Sequence, residues 1–515
     1  RTSHEQQKIE VLQYEDLAKL VDYEAVEEFR KRALNPENPV VRGTAQNPDI
    51  FFQAREACNP FYDAVPDIVA DYMEEINKLT GENYKPFVYY GAPDAENIIV
   101  AMGSVCDTIE QTVDYLNAKG EKVGAIFVHL YRPFSAKYFF DVFPKSVKKI
   151  AVIDRTKEPG ALCEPLCEDV KALFYDQEVR PMIIGGRYGL GSKDTIPSDI
   201  LAVFKNLASD EPKDGFTISI VDDVTNLSLP REELIDATPE GTIQCKFYGL
   251  GSDGTVGANK QAVAIIGDTT DLYAQAYFSY DSKKSGGFTV SHLRFGEKPI
   301  KAPYLIDNAD FVSCSNQSYV NTLDMLSGLK KGGTFLLNCV WTPEELDEEL
   351  PATMKRYMAE NDINFYTVNA VDIARELGLG NRYNMVMQSA FFKLANVIPV
   401  DNAITELKSS IKKSYGRKGD AIVNMNYGAV DKGIDGMVKI DIPDTWKDAV
   451  DKKDEVEDVP EFIKNVARVM NRLEGDKLPV SAFKGREDGS FPMATTKYEK
   501  RGTADFVPEW NPENC

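Results

Sequence analysis

The chain has 515 residues, of which 43% are apolar and 27% are charged, and its net charge is −22 at pH 7. A chain of this length is too long to fold around one hydrophobic core, so we expect about three to four domains. Its apolar content excludes a disordered chain. The acidic charge argues against a nucleic-acid-binding protein, because phosphate contacts need clustered Lys and Arg. No apolar run approaches the roughly 18 residues of a membrane span, so we expect no membrane association and a cytoplasmic location.

The N-terminal region is predicted to be helical but interrupted. Arg1 to Glu5 carries neither an initiator Met nor an apolar leader, so we expect no signal peptide and a chain that starts inside a longer protein. Helical periodicity runs from Tyr14 to Ala33 and from Asp67 to Leu79, with a Pro- and Asn-rich coil between them. We interpret this region as the tail of a domain whose body lies upstream.

Residues 89 to 225 alternate short apolar runs with amphipathic helices. This alternation predicts one α/β domain with a mostly parallel sheet. The predicted strands are Asn97 to Met102, Gly124 to Tyr131, Ile150 to Asp154 and Met182 to Gly185.

A second α/β domain is predicted from about residue 240, with helices from 370 to 417 closing it. Residues 440 to 459 are charged, lack apolar periodicity and are interpreted as a linker. A short helix at 460 to 473 and an irregular C-terminal segment follow. The fold class predicted is therefore multi-domain α/β, with two consecutive, mostly parallel sheets and a Rossmann-like glycine loop in the second. The predicted strands of the second sheet are Ile243 to Tyr248, Leu272 to Tyr280, Phe311 to Ser315, Thr334 to Cys339 and Asn364 to Val368.

The sharpest local motif is the GxGxxG sequence from Gly249 to Gly254. It follows a predicted strand and opens a predicted helix, a context in which backbone N–H groups and the helix dipole favour a phosphate. Gly257, one turn on, is expected to let the helix pack closely on the strand. The alternative is a tight turn without a ligand. The residues predicted to contact phosphate here are Gly249, Gly251, Ser252, Gly254 and Thr255.

The segment after the next strand supplies positive charge. Lys283, Lys284 and Ser285 follow Asp281, and we expect them beside the glycine loop because the two strands would be neighbours in a parallel sheet. Two lysines favour a ligand with an extra phosphate on its ribose, for which NADP and coenzyme A both qualify. The alternative is a pair of solvated surface lysines.

Three further features each leave two interpretations. His292 could line the same pocket or be a satisfied structural histidine. Cys163 and Cys167 could belong to a zinc site, but reduced, buried thiols are the simpler interpretation. The loop from Asp154 to Gly160 lies where open α/β sheets bind ligands, and it could equally dock on a neighbouring domain.

Together these blocks of sequence resemble the pyruvate:ferredoxin (or flavodoxin) oxidoreductases over nearly the whole chain. They occur in the same order as in that family. The blocks are Arg1 to Glu5, Arg42 to Asp49, Gly91 to Ala95, Asp154 to Gly160, Gly186 to Ser192, Gly249 to Lys260, Tyr280 to Gly287 and His292 to Gly296.

The resemblance implies a division into parts. Residues 1–62 would be the end of the first domain, which binds the thiamine pyrimidine, and 63–220 a domain like the C-terminal domain of transketolases. Residues 221–430 would bind coenzyme A, 431–475 would form a linker and small helical domain, and 476–515 would lead into a ferredoxin-like domain. By the same resemblance Cys515 would be a ligand of an iron–sulfur cluster.

For the whole enzyme, the resemblance implies decarboxylation of pyruvate to acetyl-CoA and CO2, with electrons passing to ferredoxin or flavodoxin. Thiamine diphosphate, Mg²⁺ and 4Fe–4S clusters would be its cofactors, and a homodimer its assembly. The chain alone is expected to be inactive, with no catalytic residue of its own. Two alternatives remain: a structural scaffold with an empty glycine loop, and an NADP-dependent dehydrogenase.

Overall fold

The computed structural model describes residues 5–9, 11–41, 43–281, 287–451, 458–499 and 508–514. The chain divides into two compact units. The first unit comprises residues 9–219 and 229–234, and the second comprises residues up to 8, 220–228 and those from 235 onward. Among the described residues, no helix combines the length and the apolar character that crossing a membrane requires.

The first unit begins with helices that bury little of their own surface. After the short strand β1 (Glu5–Gln7), which belongs to the second unit, come α1 (Tyr14–Leu20), α2 (Tyr23–Lys31), α3 (Phe51–Glu56) and α4 (Asn59–Thr80). The first three have no buried residue, and α4 buries only Pro66. The predicted N-terminal helices are confirmed, although α3 forms within the stretch predicted as coil.

The sheet of the first unit is almost entirely parallel, as predicted. Its strands lie in the order β2-β4-β3-β5-β6-β7, and only the edge pair β2–β4 is antiparallel. The strands are β2 (Phe87–Gly91), β3 (Asn97–Ala101), β4 (Val123–Val128), β5 (Lys149–Asp154), β6 (Met182–Arg187) and β7 (Phe216–Thr217). The helices of this sheet are α5 (Val105–Ala118), α6 (Ala136–Val142), α7 (Pro165–Leu173) and α8 (Pro197–Ala208).

The central strands of this sheet are apolar at consecutive positions because helices cover both of its faces. Ile98, Val100, Ile126 and Val152 are fully buried in one cluster. The continuous apolar runs in the sequence are therefore explained by burial on two sides.

The second unit is built on an eight-stranded sheet with the order β1-β9-β10-β8-β11-β12-β13-β14. Its strands beyond β1 are β8 (Ile243–Leu250), β9 (Tyr273–Tyr280), β10 (Phe288–Gly296), β11 (Ala309–Cys314), β12 (Leu329–Asn338), β13 (Asn364–Val368) and β14 (Met437–Ile440). Its helices are α9 (Thr255–Thr269), α10 (Pro343–Glu349), α11 (Ala352–Glu360), α12 (Ala370–Glu376), α13 (Asn384–Ala395), α14 (Val400–Tyr415), α15 (Asp420–Asp435) and α16 (Arg468–Asn471).

This second sheet is mixed, so the prediction of a mostly parallel sheet is wrong here. Strands β8, β11, β12 and β13 are parallel, whereas the other four pairings are antiparallel. Among the strands that the sequence analysis missed, β10 forms a hairpin with β9 and inserts between β9 and β8. Its buried positions include Ser291, His292 and Arg294, so it lacks the apolar run by which the other strands were identified.

Two apolar clusters cover the two faces of the second sheet. Helices α9 and α12 to α15 contribute to one cluster, and α10 and α11 contribute to the other. Residues 440–459 were predicted to be a linker, but in the described stretch 440–451 Trp446 is buried and its indole N–H donates to Asp347 at 2.7 Å. This stretch therefore packs against the second cluster, since the indole supplies the apolar surface that the surrounding charged residues lack.

Candidate functional site

The glycine loop, residues 251–254, joins β8 to α9 at the carboxyl end of β8. The predicted order of strand, loop and helix is confirmed. The backbone is left-handed at Ser252, with φ 73°, and at Gly254, with φ 91°. Gly251 and Ser252 are exposed, whereas Thr255 at the start of the helix is buried.

The carboxylate of Asp253 holds this loop in shape. Its Oδ1 accepts the backbone N–H of Thr255 at 2.7 Å, and its Oδ2 accepts the N–H of Leu250 and the hydroxyl of Thr255, each at 2.9 Å. An anion at a helix N-terminus is stabilised by the free N–H groups and the helix dipole. Here the loop's own side chain takes that position, so a phosphate at the start of α9 would meet a like charge and donors already in use.

The glycines of the motif are explained by packing within the loop. A Cβ on Gly249 would lie 2.7 Å from the Cβ of Thr255, and a Cβ on Gly254 would overlap the amide of Asn384. That amide donates from Nδ2 to the carbonyl of Asp253 at 2.8 Å. Gly249, Gly254 and Thr255 therefore serve the loop itself.

Gly257 does not have the role expected from the sequence. Among the described residues, no atom outside the backbone of its own helix lies within 4 Å of the position a Cβ would take on Gly257, and the residue is exposed. The expectation that this glycine allows close packing of helix on strand is wrong.

One end of the turn between β9 and β10 lies beside the glycine loop. The N–H of Gly251 donates to the carbonyl of Gly287 at 2.8 Å, and the N–H of Asp281 donates to the carbonyl of Phe288 at 3.1 Å. On the side of the hairpin, the strand next to β8 is thus β10, which runs antiparallel to it. The sequence analysis had expected β9 there, in a parallel sheet. The predicted contacts Lys283, Lys284 and Ser285 lie outside the described residues, as does Cys515.

Two tyrosines stand near Asp253, and the sequence analysis identified neither. Tyr319 packs in the cluster on one face of the sheet, and Tyr383 packs against the cluster on the other face. Burial, with the nearby charge of Asp253, raises the pKa of Tyr383 to about 12. Burial raises the pKa of Tyr319 further, with Cys314 and Asp253 adding to the effect. Both hydroxyls are therefore neutral donors at physiological pH.

His292 and Arg294 are structural residues of β10. His292 is buried, and its Nδ1 accepts the N–H of Ile306 at 3.1 Å, which favours the structural interpretation of this histidine. Arg294 is 2% exposed and donates to the carbonyls of Ala302, Tyr304 and Leu305 at 2.9 to 3.2 Å.

In the first unit, polar side chains collect at the carboxyl ends of β5 and β6. Asp154 is buried and accepts the N–H groups of Leu166 and Cys167 at 3.0 and 3.2 Å, so it binds the start of α7. Burial raises the pKa of Asp154 to about 6 despite these bonds. The buried Glu164 pairs with Arg187 at 3.2 Å. Residues 155–160 of the loop are exposed. Whether this loop binds a ligand or docks on a neighbouring domain stays a prediction.

The seven cysteines in the described part of the chain are free thiols. Burial raises the pKa of both Cys163 and Cys167. Thiols with raised pKa are poor nucleophiles and poor metal ligands, because both roles need the thiolate. No group of three His, Cys, Asp or Glu side chains that could hold a metal ion occurs among the described residues.

Comparison with protein families gives four matches along the chain. Residues 1–74 match the model described as "Pyruvate flavodoxin/ferredoxin oxidoreductase, thiamine diP-bdg", and residues 95–200 match "Pyruvate:ferredoxin oxidoreductase core domain II". Residues 244–436, which contain the glycine loop, match "Pyruvate ferredoxin/flavodoxin oxidoreductase". Residues 449–504 match a domain of unknown function.

Individual relatives are similar to the chain over its whole length. It is 63% identical to a pyruvate-flavodoxin oxidoreductase of Enterobacter agglomerans and 59% identical to a pyruvate:ferredoxin oxidoreductase of Moorella thermoacetica. It is also 48% identical to a mitochondrial pyruvate dehydrogenase [NADP(+)] of Euglena gracilis. The chain spans 44% of the length of the first two relatives and 29% of the third.

Three family models that name the same enzyme thus match successive segments of one chain, and its two sheet-containing units agree with the multi-domain α/β fold class that the sequence predicts. The chain belongs to the pyruvate:ferredoxin/flavodoxin oxidoreductase family.

Proposed function

We propose that this chain is part of an enzyme that oxidatively decarboxylates pyruvate to acetyl-CoA and CO2 and passes the electrons to ferredoxin or flavodoxin. The observation that carries the proposal is the 63% identity to a pyruvate-flavodoxin oxidoreductase over the full length of this chain. Relatives named for flavodoxin, ferredoxin and NADP⁺ all match this chain throughout, so the chain is common to enzymes that differ in their named electron acceptor.

The contribution proposed for this chain is the α/β frame together with a coenzyme A site at the carboxyl end of β8. Three observations support this position. The edge carries exposed backbone at Gly251 and Ser252, the carbonyl of Gly287 at one end of the β9–β10 turn accepts the N–H of Gly251, and the sequence of that turn includes Lys283 and Lys284. Lysines beside an exposed loop suit a ligand with several phosphates.

The described residues fit coenzyme A at this edge only in part. The start of α9 is poorly suited to bind the diphosphate of coenzyme A, because the carboxylate of Asp253 already accepts the hydrogen bonds of Thr255 and Leu250 there. We therefore propose that the phosphates contact Lys283, Lys284 and Ser285 and the outer surface of Gly251 and Ser252. Thiamine diphosphate, Mg²⁺ and the iron–sulfur clusters are proposed for the whole enzyme and are not assigned to described residues of this chain.

Calorimetric titration of the full chain tests the coenzyme A site. Replacing both Lys283 and Lys284 with Ala should weaken coenzyme A binding roughly ten- to a thousandfold, because two partly shielded charge-assisted contacts are together worth about 1.4–4 kcal/mol. The matched control is Lys412→Ala with Lys413→Ala, an adjacent pair of exposed lysines on α14, which should leave the affinity unchanged.

Titration with coenzyme A, dephospho-coenzyme A and NADP distinguishes the three candidate functions: a coenzyme A-binding part of an oxidoreductase, a structural scaffold and an NADP-dependent dehydrogenase. Dephospho-coenzyme A should bind the parent chain more weakly than coenzyme A and be nearly indifferent to the double substitution. Binding of neither ligand would favour a scaffold with an empty loop. Binding of NADP in preference to coenzyme A would favour a dehydrogenase.

The activity itself is tested in the longer enzyme. Pyruvate- and coenzyme A-dependent reduction of a viologen dye is expected from an enzyme that contains this chain, and no turnover is expected from the isolated chain. Turnover by the isolated chain would contradict the assignment of catalysis to other parts of the enzyme.

A further inference from the structure

The second sheet reverses its direction of winding between β8 and β11. These strands are parallel neighbours, with Cys314 opposite Tyr248. From β8 the chain passes through α9 toward β9 and β10 on one side, whereas β11 is followed by β12 on the other side. The loops that follow the two strands therefore leave in opposite directions, and such a point in an open α/β sheet forms a crevice.

The walls of this crevice are joined by three hydrogen bonds. The N–H of Ser315 donates to the carbonyl of Tyr248 at 2.9 Å, and the hydroxyls of Ser315 and Thr255 lie 3.2 Å apart. On the side of α13, Asn384 donates to the carbonyl of Asp253. The glycine loop, the segment after β11 and the start of α13 thus form one connected rim.

Tyr319 presents an unused donor at this rim. It lies five residues beyond the end of β11, and it is 8% exposed. Its hydroxyl is buried and has no hydrogen-bond partner among the residues that the structure describes. A buried polar group without a partner destabilises a fold by about 1–3 kcal/mol, and in native proteins such groups are few and each calls for an explanation, such as a functional role or a bound water or ion.

The charges at the rim decide which kind of group this hydroxyl can meet. Asp253 contributes a carboxylate whose two oxygens already accept from Leu250 and Thr255, and Asp281 lies near Tyr319 on the same side. A phosphate entering here would be repelled by both carboxylates. An uncharged acceptor would satisfy the tyrosine hydroxyl without that repulsion.

We infer that this crevice receives an uncharged group of coenzyme A, which accepts a hydrogen bond from the Tyr319 hydroxyl. The phosphates of coenzyme A lie outside the crevice. The inference rests on the proposed coenzyme A site. Within coenzyme A, such an acceptor is either an amide carbonyl of the pantetheine arm or a ring nitrogen of the adenine. Tyr319 is thus a binding residue for the part of the ligand that carries no charge.

The test is the substitution Tyr319→Phe, which removes only the hydroxyl, measured by calorimetry on the full chain. Binding of coenzyme A should weaken roughly tenfold, as expected for one neutral hydrogen bond. Titration with 4′-phosphopantetheine and with 3′,5′-ADP separates the two sources, because only the half that reaches Tyr319 should lose affinity.

A matched control is Tyr357→Phe on α11. Its hydroxyl donates to the carbonyl of Leu329 at 2.8 Å, at the amino end of β12 and so at the opposite edge of the sheet. Tyr357→Phe should lower the melting temperature and leave affinity unchanged. Tyr319→Phe should leave the melting temperature equal or higher, because it removes an unpaired buried hydroxyl, and should lower affinity.

The outcomes distinguish this inference from the proposed function. Unchanged affinity of Tyr319→Phe for coenzyme A and for both halves would overturn the inference and leave the coenzyme A site standing. Absence of coenzyme A binding by the parent chain would overturn both.

Discussion

The carboxylate of Asp253 accepts both the N–H and the hydroxyl of Thr255, at 2.7 and 2.9 Å, and so caps the helix that follows the glycine loop. In a phosphate-binding loop those donors would face the ligand. The loop of this chain is therefore complete without an anion, and its stability should depend on Asp253 in the absence of any ligand.

Asp253→Asn should loosen the loop. Asn offers one acceptor oxygen where Asp offers two, so at least one of the donors of Leu250 and Thr255 would lose its partner, at a cost of about 1–3 kcal/mol. Faster hydrogen exchange of these two amides and a lower melting temperature are the expected results. Asp268→Asn, at an exposed position of the same helix, is the control and should change neither. Unaltered exchange in the Asp253 variant would show that the cap is dispensable.

Two glycines three residues apart should respond to alanine with opposite signs. Gly254→Ala places a Cβ on a residue with φ 91° and against the amide of Asn384, so it should destabilise the ligand-free chain by roughly 2 kcal/mol or more. Gly257→Ala meets no described atom beyond its own helix backbone within 4 Å and should stabilise the helix by about 0.5–1 kcal/mol. The ligand-free melting temperatures of both variants provide the measurement. A fully stable Gly254→Ala variant that has lost only ligand binding would restore the phosphate explanation of this glycine.

Asp154 should make the stability of the first unit depend on pH. Its pKa is raised by burial from 3.8 to about 6, so its contribution to stability is fully present below about pH 4 and is lost as the pH rises through about 6. Asp154→Asn cannot ionise, and its stability relative to the parent should therefore rise by about 1–2 kcal/mol between pH 5.0 and 7.5.

That change is measured as the difference in melting temperature between variant and parent across this pH range. Any bond that Asn makes less well to Leu166 or Cys167 adds a constant offset and no slope. Asp176→Asn, at an exposed position of the same unit, serves as the control. A flat difference for Asp154→Asn would contradict a raised pKa.

Arg294 should be among the least replaceable residues of the second unit. Its guanidinium satisfies the carbonyls of Ala302, Tyr304 and Leu305 in a buried site. Arg294→Met removes the hydrogen bonds that the guanidinium donates to these carbonyls and should destabilise the unit by roughly 3 kcal/mol or more. Arg382→Met, at an exposed position, should change stability by less than about 0.5 kcal/mol. Equal melting temperatures for the two variants, measured by calorimetry, would refute this role.

The sequence alone identified most of the strands and the order of the elements around the glycine loop. Runs such as those in β3 and β5 are apolar because both faces of the sheet are covered, and that signal is local. The glycine motif is also local, since its turn and the helix after it depend on residues within a few positions of one another. The Asp within it was itself a capping signal, although the sequence analysis assigned the helix start to a ligand.

Only the tertiary structure decided how those elements are arranged and what surrounds the loop. Strand β10 was missed because its buried polar residues are satisfied by partners elsewhere in the chain, such as Ile306 for His292. Asn384, which fills the space beside Gly254, lies 131 residues from the carbonyl it binds. Tyr319 reaches the same rim from the far side of the sheet. Contacts of this kind depend on which strands become neighbours, and strand order is set by the packing of the whole unit and not by local periodicity.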